Sequence, residues 1–304
     1  MKTRQHGVAI VLAMGVVALA ALLATAMMMT QTNWARHNEL TADHVQAQTL
    51  LNAGVDWARA LLSDDRRSSN VDHTGEVWAL RLPPMPVDNG ELAGHIDDQQ
   101  GAFNVNNLIK GGRVNPSQFA HFQRLLMLLE LPPTLADALA DWIDADSEPQ
   151  SQYGAEDTYY LARQSPYLAA NRPLIDLAEL ALIRGFDEGI RARLRPFVSA
   201  LPTFTAININ TAPAEVIAAV IDGLDLDAAR TLVGQRQHAY FRDKTDFLSR
   251  LPDDASAATD DICFGSDFFL VNMRISIGSA QTSGTALLSR PDTRWPTIVW
   301  KKMS

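Results

Sequence analysis

The stretch VAIVLAMGVVALAALLATAMMM, from Val8 to Met29, contains 22 consecutive residues without a charged side chain. A helix of this length rises about 33 Å, which is enough to cross the hydrocarbon core of a bilayer. Lys2 and Arg4 precede the stretch, and the positive-inside rule places them in the cytoplasm. The sequence therefore predicts one transmembrane helix at residues 8–30, with the N-terminus in the cytoplasm and the bulk of the chain across the membrane.

A secretory signal peptide is the alternative interpretation of this stretch. Ala24-Thr25-Ala26 has the A-x-A form of a cleavage site, which would give a mature chain starting at Met27. The apolar run, however, exceeds the roughly 7–15 residues of an ordinary signal-peptide core. Apolar residues then recur at intervals of three and four from Ala47 to Leu62, as in an amphipathic helix. We therefore expect one long helix that continues from the membrane into a folded domain.

The composition of the 304-residue chain is that of a folded, acidic protein with about two domains. Apolar residues make up 47% of it, which is enough for hydrophobic cores. Its formal charge of -9 has the wrong sign for binding phosphate backbones, so nucleic acid is not an expected partner. Cys263 is the single cysteine, which excludes an internal disulfide and a cysteine-based zinc cluster. Any bound metal is expected to be a hard cation with oxygen ligands.

The residue pattern after the first helix changes twice. Alternating apolar residues with prolines and glycines between Val77 and Val105 predict short strands and turns. Helical patterns fill residues 106–261, and strand character returns at Phe268–Ile277 and Thr285–Trp300. We expect an α+β fold in which a small β-sheet domain, from residues 31–105 and 262–304, carries an inserted all-α domain. The predicted helices are Pro116–Leu131, Leu135–Ile143, Leu174–Arg184, Ala214–Ile221 and Ala228–Gln237.

The first residues resemble the prepilins of type IV pilin-like proteins. The leader at residues 1–7, MKTRQHG, ends in Gly7 and is followed at once by the apolar helix. This resemblance implies that a prepilin peptidase cleaves between Gly7 and Val8 and methylates the new N-terminus. Such proteins usually carry Glu at the fifth mature position, where this chain has Leu12. In the family that Glu pairs with the amine of the preceding subunit, so Leu12 suggests a subunit at the tip of a filament.

Four phrases further along extend the resemblance over nearly the whole chain. They are DDQQGAFNVNNL (97–108), DWIDADSEPQSQYGAEDTYY (141–160), NRPLIDLAEL (171–180) and ININTAP (207–213). Together they resemble the K-type minor pseudopilins of the type II secretion system, also called general secretion pathway protein K. The resemblance implies a pilin-like domain anchored in the bacterial inner membrane, with its bulk in the periplasm. It also implies a place at the pseudopilus tip with minor pseudopilins I and J, in a machine that exports folded proteins through the outer-membrane secretin.

Residues 131–162 carry seven carboxylates and no Lys or Arg. Asp144, Asp146 and Glu148 alternate like positions 1, 3 and 5 of an EF-hand loop, but Pro149 stands where that loop needs Gly. A Ca²⁺ site formed by a loop that folds back on itself is the prediction, and the family resemblance also implies calcium here. The alternative is a solvated acidic face, with Asp137 and Asp141 on the outer side of a helix. The predicted ligands are Asp144, Asp146, Glu156 and Asp157, with a carbonyl near Ser151.

Catalysis is not expected from these residues. A glycosidase pair needs one carboxyl with a raised pKa in an apolar cleft, whereas so many neighbouring carboxylates favour a cation. The seven histidines lie among polar neighbours, without a G-x-S-x-G motif nearby. We therefore expect a structural protein rather than an enzyme.

The second half of the insert resembles a helix-hairpin-helix module. The insert is expected to divide into an acidic-loop subdomain at 106–203 and this module at 204–261. Helix-hairpin-helix modules hold phosphate at a Gly-x-Gly hairpin, which here reads Gly223-Leu224-Asp225. The aspartate would repel phosphate. A membrane-tethered DNA-binding or uptake protein therefore stays only an alternative to the pseudopilin interpretation, in which few copies act at the tip and contact partners through the pilin-like domain and the helix flank from Ala47 to Leu62.

Overall fold

The computed structural model describes residues 6–87, 89–258, 260–292 and 294–303, so residues 1–5 of the predicted leader lie outside it. The helices are α1 (His6–Ser68), α2 (Pro116–Leu128), α3 (Leu135–Ile143), α4 (Asp157–Leu161), α5 (Glu188–Leu194), α6 (Ala214–Val220), α7 (Leu226–His238) and α8 (Lys244–Leu248). The strands are β1 (Leu82–Val87), β2 (Gly90–Asp98), β3 (Phe103–Asn104), β4 (Ile109–Lys110), β5 (Arg113–Val114), β6 (Val198–Ser199), β7 (Ile207–Asn208), β8 (Ile262–Cys263), β9 (Phe268–Ile277), β10 (Ala280–Ser289) and β11 (Thr297–Met303). The predicted α+β fold class is confirmed.

Helix α1 is one continuous element of 63 residues, about 95 Å long. All residues from 8 to 42 are exposed, and this part is long and apolar enough to cross a membrane. Arg66 and Arg67 lie in the last turn, where positive charge favours the helix dipole. The chain therefore has a long apolar arm followed by a folded body.

The body contains an antiparallel five-stranded sheet with the order β1-β2-β9-β10-β11. Strand β2 pairs with β9 from Gly90↔Ile277 to Asp98↔Phe269, so the insert lies between two neighbouring strands. The predicted strand Phe268–Ile277 is β9, residue for residue. The segment predicted as Thr285–Trp300 is two strands, β10 and β11, because the chain turns between Ser289 and Thr297, a stretch that includes Pro291 and Pro296.

The far end of α1 packs on one face of this sheet. Its stripe residues are at most 6% exposed: Ala47, Leu51, Val55, Ala58 and Leu62. They form one apolar cluster with Val271, Met273 and Ile275 of β9. An added Cβ at Gly54 would lie 1.8 Å from Met273 Cε, so glycine permits the close approach. The chain's own sheet therefore covers the inner side of this flank, and a partner contact on the flank from Ala47 to Leu62 stays a prediction for its exposed side.

The helical insert has a single apolar core that extends from Phe103 to Ile262, across both predicted subdomains. Helix α3 has the predicted bounds, whereas α2 ends at Leu128, three residues early. It ends there because Glu130 has φ 52° and Leu131 N–H donates back to Leu126 C=O, as in a Schellman motif. The helix predicted at 174–184 is a shorter 3₁₀ helix, Leu177–Leu182, that begins with a capping box.

A buried polar junction connects α1, the sheet and the insert. The Arg290 guanidinium is completely buried and donates to Asp65 Oδ2 at 2.8 Å and Asp72 Oδ1 at 2.5 Å. It also donates to the C=O groups of Leu62 and Ser266. Asn208, at the start of the second half of the insert, donates to the C=O of Asp72. The junction therefore fixes the insert at the end of α1 that is far from the apolar arm.

Candidate metal centre

The acidic loop begins at the C-terminus of α3 and ends at the N-terminus of α4. Asp144 is the C-cap of α3, and its N–H donates to Ala140 C=O. Glu156 is the N-cap residue of α4, and no backbone N–H of that helix bonds to its side chain. The two helix ends thus bring together carboxylates that are twelve positions apart in the sequence.

One oxygen from each of Asp144, Asp146 and Glu156 lies within 4.8 Å of the other two. Asp144 and Glu156 are 1% and 4% exposed, whereas Asp146 is exposed. Within the described part of the chain, Asp144 Oδ1 and both carboxylate oxygens of Glu156 are buried without a hydrogen-bond partner. Buried polar atoms are nearly always paired, so three such oxygens side by side fit a missing positive ligand.

The pKa values describe the same electrostatic conflict. Burial, followed by the charges of Asp141 and Asp144, raises the pKa of Glu156 to about 8. Burial and the charge of Asp146 raise the pKa of Asp144 to about 6. Without a cation the site favours protons, and a divalent cation would remove the repulsion. A set of only oxygen donors on a curved loop fits Ca²⁺ better than a transition metal.

Two predicted ligands have other partners in this structure. Asp157 Oδ1 accepts a hydrogen bond from the Ala169 N–H at 2.9 Å, and Asp157 is not one of the three clustered carboxylates. The Ser151 C=O accepts the N–H of Gly154, and its Oγ accepts the N–H of Tyr153. Both residues therefore shape the loop around the cluster.

Asp141 is the residue that sequence reasoning misplaced. It is 0% exposed, and its carboxylate accepts the N–H groups of Gln150 at 2.9 Å and Ala155 at 2.7 Å. It therefore holds the loop from inside, and the alternative of a solvated acidic face is wrong in placing Asp141 on the outer side of the helix. The signal in the sequence was that Ala138, Ala140 and Trp142 flank this position on α3, although Asp137 lies one turn before it.

Aromatic contacts beside the loop and a glycine within it stabilise the loop conformation. Trp142 contacts Tyr160 edge to face at 5.0 Å, and Tyr160 stacks on Tyr167 at 5.3 Å. Arg184 donates to the C=O of Gly154 at 2.8 Å. A Cβ at Gly154 would lie 2.1 Å from Asp141 Oδ2, so only glycine fits there. Packing and hydrogen bonds therefore fix the conformation of the loop.

A second group of three carboxylates, Asp65, Asp72 and Glu76, also has oxygens within 4.8 Å of one another. Here the buried guanidinium of Arg290 already supplies the positive charge to Asp65 and Asp72. This group is therefore an ion-pair junction, and the acidic loop is the better candidate for a metal.

The helix-hairpin-helix-like segment does not offer a phosphate site at its hairpin. Helices α6 and α7 are joined through Gly223, which has φ 78°. Asp225 is the N-cap of α7, and its carboxylate accepts the Ala228 N–H at 2.8 Å. A carboxylate thus occupies the helix terminus that would bind phosphate, and its charge opposes an anion.

Comparison with known proteins shows what these features belong to. The family described as type II secretion system (T2SS), protein K matches residues 101–203 and 207–261. Type II secretion system protein K of Pseudomonas aeruginosa is 35% identical over 95% of this chain and 90% of its own length. The chain belongs to the type II secretion system protein K family. The protein K of Klebsiella pneumoniae is 32% identical, over 95% of this chain and 94% of that relative.

A solved structure with the same fold supports this assignment. It is titled as the GspK-GspI-GspJ complex from the enterotoxigenic Escherichia coli type 2 secretion system. The match has a TM-score of 0.72 at 23% identity, and it covers 88% of this chain and 99% of that chain. The predicted resemblance to K-type minor pseudopilins is confirmed, and the chain has a minor pseudopilin role in type II secretion.

Proposed function

We propose that this protein K family member is a non-enzymatic subunit at the tip of the pseudopilus, where it helps to initiate or cap the fiber during export of folded proteins. The main observation that supports this proposal is the position of the insert. The insert is attached at the end of α1 far from the membrane segment, through Arg290 and Asn208. A compact body of its size has a radius of gyration of about 15 Å, so neighbouring subunits that all carried it would collide in a helical filament.

The proposed partners are minor pseudopilins I and J, together with the secretin and secreted proteins. The solved relative supports I and J, since it is a GspK-GspI-GspJ complex. The surface proposed for these two is the outer side of α1, because the inner stripe is covered by the sheet. Trp57 lies on that outer side and is 52% exposed, and Val45 is 56% exposed. Large exposed apolar side chains of this kind are typical of interface centres.

Co-purification tests this surface. The full-length protein is expressed with its cognate I and J partners, solubilised in detergent and captured by a tag. We expect Trp57→Glu to lose both partners. Leu168→Glu is the matched control, because Leu168 is 58% exposed on the insert. Retention of both partners by Trp57→Glu would contradict the assigned surface, and loss by both variants would indicate a different interface.

The proposed topology is a single pass through the inner membrane, with the cytoplasmic leader removed by the prepilin peptidase between Gly7 and Val8 and the new N-terminus methylated. Leu12 then lies at the fifth mature position. Mass spectrometry of the membrane fraction measures the mature N-terminus directly. A soluble chain that starts at Met27 would contradict this proposal and support ordinary secretion.

The proposed cofactor is a structural Ca²⁺ ion held by Asp144, Asp146 and Glu156. The three unpartnered buried oxygens support it. Asp157 and the Ser151 carbonyl, the other predicted ligands, would have to exchange their present hydrogen bonds for the ion. Bound calcium supplies charge neutralisation here, and the residues around it set the loop conformation. The alternative of DNA binding lacks support at the hairpin, because the Asp225 carboxylate caps the helix terminus at which a phosphate was considered.

A further inference from the structure

The second face of the five-stranded sheet forms one wall of a groove. Helix α1 covers the first face, whereas the insert meets the second face at an apolar contact of Leu201 with Phe268 and Leu287 and at an ion pair of Asp176 with Lys302. Beside these contacts the sheet and the insert segments 175–180 and 188–201 enclose about 1520 Å³. This groove is separate from the acidic loop and from the outer side of α1.

The charges in the groove differ from those of the rest of the chain. Arg191, Arg195 and Arg274 line it, and in the described part of the chain none of them has a carboxylate oxygen within ion-pair distance. Two of the groove's carboxylates are already engaged, since Asp97 contacts Arg81 and His95, and Asp176 contacts Lys302. The lining also contains the carboxylates of Asp98 and Glu188, so five Lys and Arg residues lie with four carboxylates. The groove therefore has a small excess of positive charge in a protein with a net charge of -9.

A free sheet edge borders this groove. Strand β1, at one edge, contains Pro83, Pro84 and Pro86, which cannot donate to another strand. Strand β11, at the other edge, has no proline and pairs only with β10 among the described residues. A bulge opposite Leu287 and Leu288 divides it, so the regular free edge is Trp300–Met303. Only this edge can accept a full additional strand.

The side chains of this edge select the charge of an added strand. Trp300 and Lys302 line the groove, and Lys301 reaches Asn52 of α1 on the other face. Lysines on an edge disfavour pairing with another basic strand, whereas opposite charges across a strand pair are stabilising. The indole N–H of Trp300 is buried without an acceptor, and an incoming carboxylate or carbonyl would satisfy it. The edge and the groove therefore both favour an acidic strand over a basic one.

We propose that an extended acidic segment of another protein adds to the sheet as a sixth strand beside Trp300–Met303, with its carboxylates toward Lys302 and Arg195, which lie together around Asp176. Backbone hydrogen bonds to β11 supply the docking geometry. Lys302 and Arg195 supply selectivity for acidic over basic sequences. The proposal concerns a surface distinct from the proposed I and J interface, and its test does not depend on the tip function.

The test uses the full-length protein in detergent micelles and a fluorescein-labelled peptide of alternating Glu and Thr, about ten residues long. We expect saturable binding that weakens with salt. An alternating Glu-Pro peptide has the same charge without strand-pairing N–H groups, and we expect it to bind at least roughly tenfold more weakly. An alternating Lys-Thr peptide should not bind. Equal binding of the Glu-Thr and Glu-Pro peptides, or no binding of either, would overturn the proposal.

Variants and hydrogen exchange locate the site. The variant Arg195→Glu should weaken binding of the Glu-Thr peptide by roughly tenfold or more. Arg113→Glu is the control, because Arg113 is an exposed arginine of the insert that does not line the groove. The backbone amides of Trp300–Met303 should exchange more slowly with peptide bound. Equal losses in the two variants, or protection that leaves these amides unchanged, would show adsorption elsewhere and refute strand addition.

Discussion

Replacing Arg290 by Met removes the fully buried cation of the junction and keeps most of the side-chain volume. The guanidinium forms ion pairs with Asp65 and Asp72, and the Asp72 residue is 1% exposed. Loss of one partner of a buried pair costs about 3–5 kcal/mol, because the remaining charge lies uncompensated in the protein. For a protein of this size, a melting shift of roughly 2 °C per kcal/mol predicts a decrease of about 6–10 °C.

The assay is thermal unfolding of the full-length protein in detergent, followed by circular dichroism. Arg294→Met is the matched control, because Arg294 also forms an ion pair, with Asp292, but its side chain is 84% exposed. Exposed pairs contribute about 0–1 kcal/mol, so this control should change little. Asp65→Asn and Asp72→Asn, added to Arg290→Met, should recover part of the loss by removing the uncompensated charges. A shift for Arg290→Met as small as that of the control would refute the reasoning.

Three further predictions concern the loop and the junction. Chelation should lower the melting temperature, and calcium at a hundredfold excess over its Kd should add about 2.7 kcal/mol to the free energy of unfolding. Glu156→Gln should abolish this response, whereas Glu148→Gln should retain it, because Glu148 is an exposed loop carboxylate outside the cluster. Superimposable melting curves of the parent protein with calcium and with chelator would exclude a calcium site. Gly154→Ala should lower the free energy of unfolding by about 1–3 kcal/mol, because the added methyl group overpacks Asp141. Gly234→Ala is the control, since a methyl group there meets open space on α7 and should cause no such loss. Chemical denaturation measures both. Burial raises the pKa of Asp98 from 3.8 to about 6. Its contribution to stability is therefore present at acid pH and lost as the pH rises through about 6. The free energy of unfolding of Asp98→Asn should rise relative to that of the parent between pH 4.5 and 7.5, and a pH-independent difference between the two proteins would contradict the raised pKa.

The fold was predictable wherever a segment carried its own pattern. Helix α3 and strand β9 have the predicted bounds, because apolar periodicity and β-branched composition are local properties. The short parallel pairs β3 with β6 and β7 with β8 were not predicted, since each joins two-residue strands from distant segments. Their pairing depends on the assembled core and has no local signal.

The candidate site was predictable in its chemistry and less so in its geometry. Asp144, Asp146 and Glu156 come together because a charge-dense loop connects two short helices. Asp141 was misplaced because an acidic residue in a helix ordinarily faces solvent. Its partners, the N–H groups of Gln150 and Ala155, approach only after the loop has closed. The engagement of Asp157 by Ala169 depends on the same closure.

The position of the insert within the sheet has a consequence for biogenesis. Strand β2 is completed before the insert is made, but its partner β9 follows the whole insert in the sequence. During synthesis, β2 therefore keeps one edge unpaired until the insert has been made. Closing so long a loop makes the pairing of β2 with β9 a late and slow step. The apolar N-terminal helix fits a single-pass membrane anchor, and a chain held by such an anchor would expose this unpaired strand edge. Early folding of the insert, which has its own core, shortens the effective loop and protects the nascent subunit from strand-mediated aggregation.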